Sequence, residues 1–249
     1  MSWAMSVRDY LRERAGWVWN EQKHAFDRGL TLQEETLTEM LLLRMSKDHG
    51  KHGLVVRLFN KTEEARNGAD WEWHVRTPSC DLALRVQAKR LYHHLKVTDY
   101  GGLNPNSGQT DKLIKMAAAY SCVPVFVFFN HDCGTNSAKF TRGSNIPYRG
   151  RSFWGCAIAS ASDVKMKSTN TVAGLKPVLS PWHNLVSRGG QCKAADLLGQ
   201  PSEDVETSMR LRSSDVFETI RNLEAMEDYT ATAELAGVAT LDFSGFRGE

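Results

Sequence analysis

The sequence predicts an α/β fold in which a central sheet is flanked by helices, and three observations carry that expectation. Two neighbouring stretches, Asp70 to Val75 and Leu82 to Lys89, alternate polar and apolar residues with the period of two that half-buried strands require. Two other sets, Leu37, Met40, Leu41, Arg44 and Leu113, Met116, Ala117, Tyr120, recur at helical spacing. The run from Val123 to Phe129 is continuously apolar and bounded by Asn130, as expected of a strand covered on both faces.

Taken in chain order, the first thirty residues read as one or two amphipathic helices rich in Trp3, Tyr10, Trp17 and Trp19. Thr31-Leu32-Gln33-Glu34 has the form of a capping box, with Thr31 as cap and Glu34 reaching back, so a helix is expected from about Leu32 to Ser46. A first strand is expected from Gly53 to Phe59, and the polar residues Glu63 to Asn67 link it to the Asp70 strand. Pro78 and Ser79 read as a turn, making the two alternating strands hairpin neighbours. Asn104 to Gly108 is a loop leading into the helix around Leu113, a crossover between parallel strands, and Pro124 is tolerated because it sits at a strand start. A further strand is expected from Phe153 to Ala159 and a last helix from about Ser214 to Met226, where Val216, Phe217, Ile220 and Leu223 have helical spacing.

The hairpin carries the chemistry. Trp71, Trp73 and Val75 share one face of the first strand with Asp70, Glu72 and His74 on the other, while Leu82, Leu84, Val86 and Ala88 oppose Arg85, Gln87 and Lys89 on the second. Asp70 can then lie across from the Gln87/Lys89 pair, bringing together a carboxylate, an amide oxygen and an ammonium. Hard divalent cations take oxygen ligands and keep several waters, so Asp70 and Gln87 suit Mg²⁺, with Mn²⁺ as a substitute. A lysine beside the ion can hold an attacking water and offset charge in a phosphoryl transition state. The plainer alternative is a half-exposed strand pair with a surface ion pair between Asp70 and Lys89.

The order Gly-Ala-Asp followed by a strand bearing Gln-Ala-Lys-Arg resembles the PD-(D/E)XK nuclease superfamily, particularly the Mrr-like restriction endonuclease branch in which Gln replaces the acid of the (D/E)XK element. The resemblance covers roughly residues 30 to 130. It implies a restriction-endonuclease-like α-β-β-β-α-β core with a mixed central sheet flanked by helices, plus N- and C-terminal helical additions. It also implies a helical glutamate at the metal site: Glu35 matches by position, with Glu39 one turn later as its rival. Because Gln leaves one negative charge fewer than an acid would, Glu35 or Glu72 is expected to compensate. Gln109 and Lys112, near the crossover helix N-terminus where backbone amides favour anions, are candidates for phosphate contact.

On this reading residues 1–29 form an N-terminal helical extension, 30–160 the nuclease-like core, and 161–249 a basic loop region and an acidic helical tail. Net charge is +2, but residues 203–249 hold eleven acids against four arginines, leaving +9 on residues 1–202. Cys133 to Pro201 carries nine Lys or Arg against two Asp, interleaved with Phe140, Tyr148, Phe153, Trp154 and Trp182, so Arg149 and Arg151 join Arg90 as expected nucleic-acid contacts. A solvated basic loop is the bland alternative.

No apolar run approaches a membrane span and Met1 to Tyr10 has no signal-peptide pattern, so no membrane partner is expected. Five scattered cysteines without a CxxC pair make a reduced cytoplasm the simplest setting and a zinc site unexpected. Adjacent His93 and His94 would point opposite ways in a strand, His131-Asp132-Cys133 has no second cluster, and neither GxxxxGK[ST] nor GxSxG occurs. The resulting expectation is a metal-dependent endonuclease acting on nucleic acid, DNA ahead of RNA, with Asp70 and Gln87 on the metal, Lys89 on water and Glu35 assisting. The resemblance brings with it restriction or anti-phage defence, a homodimer and an activating protein partner. The competing expectations are a nuclease-like fold that only binds nucleic acid, and an accessory interaction subunit.

Overall fold

The computed structural model describes residues 6–49, 57–58, 68–77, 80–93, 98–120, 122–131, 151–189, 191–198 and 239–242. Its helices are α1 (Val7–Asp27), α2 (Glu34–His49), α3 (Gly108–Ala119), α4 (Ala161–Lys167), α5 (Val172–Leu175) and α6 (Ala194–Leu198). Its strands are β1 (Arg57–Leu58), β2 (Trp71–Thr77), β3 (Cys80–His93), β4 (Thr98–Tyr100), β5 (Val123–Phe129), β6 (Cys156–Ser160), β7 (Ser180–Pro181) and β8 (Ala239–Asp242).

Strand β3 is the longest and organises the rest. The alternation around Asp81 to Lys89 pairs it antiparallel with β2, from Trp71 opposite Val86 to Thr77 opposite Cys80. Its other edge pairs parallel with β5, Gln87 opposite Phe126 and Lys89 opposite Phe128, the connection running through α3. The main sheet order is β1-β2-β3-β5-β6-β7, with β4 on the far end of β3 and β8 alongside β2. Both parallel and antiparallel ladders are present, so the sheet is mixed and the class is α/β as expected.

Each sheet face has its own core. On one, Trp71, Trp73, Val86, Ala88 and Val127 pack with Leu11, Ala15 and Val18 of α1 and Leu37, Leu41 and Met45 of α2. On the other, Phe126 and Phe128 pack with Tyr100 and with Leu113 of α3. Fully burying a leucine, valine or phenylalanine contributes roughly 1.5–3 kcal/mol, so these two layers supply the stability against which costly polar burial can be set.

Of the one or two helices expected in the first thirty residues, the described residues form one, α1. Ser6 caps it through Asp9 N–H, and Val7, Tyr10, Leu11, Ala15 and Val18 form its buried stripe. Trp182 Nε1 donates to its Leu11 carbonyl at 2.7 Å, and its own Gln22 Nε2 donates to the carbonyl of Asn130 at the end of β5 at 3.1 Å. The chain thus ties α1 to both the central sheet and the segment around Trp182.

Three boundaries differ from the sequence expectation. Helix α2 begins at Glu34, with Leu37 N–H bonded to Gln33 O, so exposed Thr31 does not cap it and the capping box does not form. The strand expected from Phe153 is a 3-10 turn over Arg151–Trp154 and becomes β6 only at Cys156. A Cβ on intervening Gly155 would sit 1.9 Å from Ala15 O, so the chain turns where α1 presses on it. In the acidic tail, Ala239–Asp242 joins the sheet parallel to β2. The expected helix from Ser214 to Met226 and most of the expected strand from Gly53 to Phe59 lie outside the described residues. Cys122 and Cys156 are buried free thiols, whereas Cys192 is disulfide-bonded, unlike the fully reduced set expected. Among the described residues no helix is long and apolar enough to cross a membrane.

Candidate active site

The site begins at a glycine. Gly68 has φ +65°, and a Cβ there would lie 3.1 Å from both Gln109 O and Leu113 N in α3, so left-handed backbone and close approach together favour glycine. Ala69 is buried behind it, and Asp70 N–H donates to Val86 O at 2.8 Å, extending the β2–β3 ladder by one residue. Since Trp71 faces Val86, Asp70 faces Gln87. The Asp70 carboxylate also accepts from Ala88 N–H, which fixes its orientation against β3.

Gln87 is 1% exposed, and its Oε1 has no hydrogen-bond donor among the described residues. A buried carbonyl oxygen without a donor costs free energy, and a cation is one way to satisfy it. Two residues along the same face, Lys89 is 6% exposed and its Nζ donates to Glu34 Oε1 at 3.0 Å. The second oxygen, Glu34 Oε2, accepts from Arg90 N–H at 3.0 Å. Burial raises the Glu34 pKa above the usual carboxylate value, with the Lys89 charge pulling the other way.

Asp70, Gln87 and Lys89 therefore share one face, and the helical glutamate that reaches Lys89 is Glu34, not the expected Glu35 or Glu39. Glu35 and Glu39 are exposed, whereas Glu34 turns inward. Because Thr31 does not cap α2, Glu34 is released from the capping role and reaches β3. The available signal was the phase of the buried stripe: Glu34 precedes Leu37 by three and Leu41 by seven, so it shares their face. Glu72 is likewise engaged elsewhere. Its Oε2 accepts from Arg85 Nε at 3.1 Å with both side chains 3% exposed, and Arg85 stacks over Tyr120 at 4.0 Å, so its carboxylate serves an ion pair one register step from Asp70.

Gln109 and Lys112 are exposed on the first turns of α3, beside the Gly68 loop. Arg90 is buried, points to the opposite face from Lys89 and stacks over Tyr92 at 3.8 Å. Arg149 lies outside the described residues, and of Arg151 only the backbone of its 3-10 turn is described.

The donor set can be tested against a divalent ion. Asp70 offers a carboxylate and Gln87 an orphaned buried amide oxygen, both hard donors suited to Mg²⁺. Glu34 has both oxygens engaged by β3, so it positions Lys89 instead of completing a shell. Among the described residues no group of three His, Cys, Asp or Glu forms a preassembled cluster. The residues fit an ion held by few protein oxygens and several waters, the habit of Mg²⁺.

Residues 7–240 match a family described as a family of unknown function, DUF6615, and the chain belongs to that family. No curated protein matches the chain.

Proposed function

We propose that this DUF6615 member is a metal-dependent endonuclease of the PD-(D/E)XK type, hydrolysing phosphodiester bonds in nucleic acid, with DNA as the expected strand. The observation that carries the reading is the convergence on one face of Asp70, the unsatisfied Gln87 Oε1 and a Lys89 held by Glu34. The succession α2, β1, β2, β3, β4, α3, β5, with β4 folding back on the end of β3, antiparallel β2–β3 and parallel β3–β5, supports the restriction-endonuclease-like topology. The excess of nine positive charges on residues 1–202 supports a polyanionic substrate. A cytoplasmic setting and a role in restriction or defence belong to the same proposal.

Asp70 and Gln87 would hold Mg²⁺, which when bound supplies Lewis-acid charge and lowers the pKa of a water. The chain's own groups do the rest. Lys89 Nζ orients the attacking water and offsets charge on the phosphoryl oxygens; as water oxygen bonds to phosphorus, the ester P–O bond breaks, the leaving oxygen takes a proton from solvent water, and the attacking water gives up a proton toward the Glu34 carboxylate. Glu34 Oε1 keeps Nζ in place, and its raised pKa suits it to receive that proton.

Plasmid and single-strand cleavage, measured in Mg²⁺, Mn²⁺ and chelator, tests the reading. Cutting should require metal and fall by about 10²-fold or more in Asp70→Ala and Lys89→Ala. An absence of cutting while wild type and both variants bind DNA equally would replace it with a nucleic-acid-binding module.

A further inference from the structure

Beyond the catalytic face, a cleft of about 160 Å³ opens on the other side of β3's end, between the C-terminal part of α1, the residues leading into α2, and His131. Arg90 is one of its lining residues, only 6% exposed, and its Nε and Nη2 both lack a hydrogen-bond partner among the described residues. These two donors form one edge of the guanidinium fork, the edge that meets two oxygens of a phosphate or carboxylate side by side. A buried guanidinium with that edge unused is costly, and an anion in the cleft removes the cost. The plane of Arg90 is fixed by stacking on Tyr92, so the fork is preorganised.

The remaining lining describes the ligand. It contains His93 and His131 and no acidic side chain, which favours an anion. Gln22 uses its Nε2 on the Asn130 carbonyl and leaves its buried Oε1 without a donor, an acceptor for an amino or hydroxyl group on the ligand. At the mouth, Phe26 is 43% and Leu30 64% exposed, an apolar rim of the kind on which a sugar or base can rest.

We propose that this cleft is a nucleotide-phosphate subsite in which the Nε/Nη2 edge of Arg90 takes two phosphate oxygens and the Phe26 rim takes the nucleoside. It rests on the nuclease reading only for the reason a nucleotide should be there. Arg90 N–H also holds Glu34 Oε2, so an occupied subsite adjoins the residue that positions Lys89.

Binding is measured by calorimetry on the full chain in chelator, so cleavage plays no part in the readout, using inorganic phosphate, deoxyadenosine 5′-monophosphate and acetate. The monophosphate should bind more tightly than phosphate, and phosphate more tightly than acetate. Arg90→Lys, which keeps the charge and loses the fork, should weaken the monophosphate about tenfold, while Lys193→Ala, at an exposed lysine outside the cleft lining, should leave it unchanged. In the wild type, the imidazole NMR signals of His93 and His131 should shift on titration, a check that needs no variant. Equal binding of phosphate and monophosphate would overturn the nucleotide assignment, and acetate binding as well as phosphate would overturn the phosphate. Unmoved histidine signals, or Arg90→Lys binding like wild type, would overturn the site. Because no metal or cutting is involved, these failures are distinct from failure of the nuclease reading.

Discussion

Arg85 and Lys89 stand four residues apart on one face of β3, each with a glutamate partner, yet their surroundings differ. Glu72 and Arg85 are both 3% exposed, directly opposite in the β2–β3 register, and capped by the Tyr120 ring. Glu34 and Lys89 are 24% and 8% exposed, join a helix N-terminus to a strand, and adjoin the unsatisfied oxygen of Gln87. A sealed pair must recover its desolvation cost from the groups packed around it and serves to locate the strands. A pair that keeps one partner partly exposed can exchange partners with a substrate or ion. Similar residue types on one strand thus separate into a sealed pair and an open one by what covers them.

The comparison can be broken most forcefully at the sealed pair. Glu72→Ala leaves Arg85 buried without its carboxylate and should cost about 3–5 kcal/mol in urea unfolding. A loss below about 1 kcal/mol would mean that the pair does not help to hold the hairpin.

The open pair should respond to pH. Burial raises the Glu34 pKa in the folded chain above its unfolded value, so the folded state binds the proton more tightly. Glu34 therefore contributes stability at low pH that is lost as pH rises through its raised folded value. In chelator, the stability of wild type relative to Glu34→Gln should increase as pH is lowered from about 7 to about 5. A gap that stays constant or shrinks would contradict the burial of this carboxylate. Exposed Glu35 is the control: Glu35→Gln should change stability by about 0.5 kcal/mol or less at either pH.

What the sequence alone makes legible follows the same division. The two faces of the hairpin were legible because a strand's alternation is local: Trp71 and Trp73 go one way, Asp70 and Glu72 the other, and the register brings Asp70 to Gln87. The β3–β5 layer was legible because an uninterrupted apolar run has few other solutions. Which helical glutamate reaches Lys89 was not, because one residue turns a helix by about 100° and the entry angle depends on whether Thr31 caps. The role of Glu72 depends on Arg85 and Tyr120 from separate segments. The pairing of Ala239 with Trp73 and the turn at Gly155 against Ala15 likewise join distant parts of the chain, leaving no local pattern to read.

The proposed cation site stands at the open end of this face, on Gln87 Oε1 and Asp70. Titration of the full chain with Mn²⁺, followed by calorimetry, tests it directly beside Gln87→Leu and Asp70→Ala. One Mn²⁺ should bind per chain, with affinity lowered by at least about tenfold in each variant, the scale on which even outer-sphere partners act. Wild type that binds no Mn²⁺, or Gln87→Leu that binds it as tightly as wild type, would rule out the cation site.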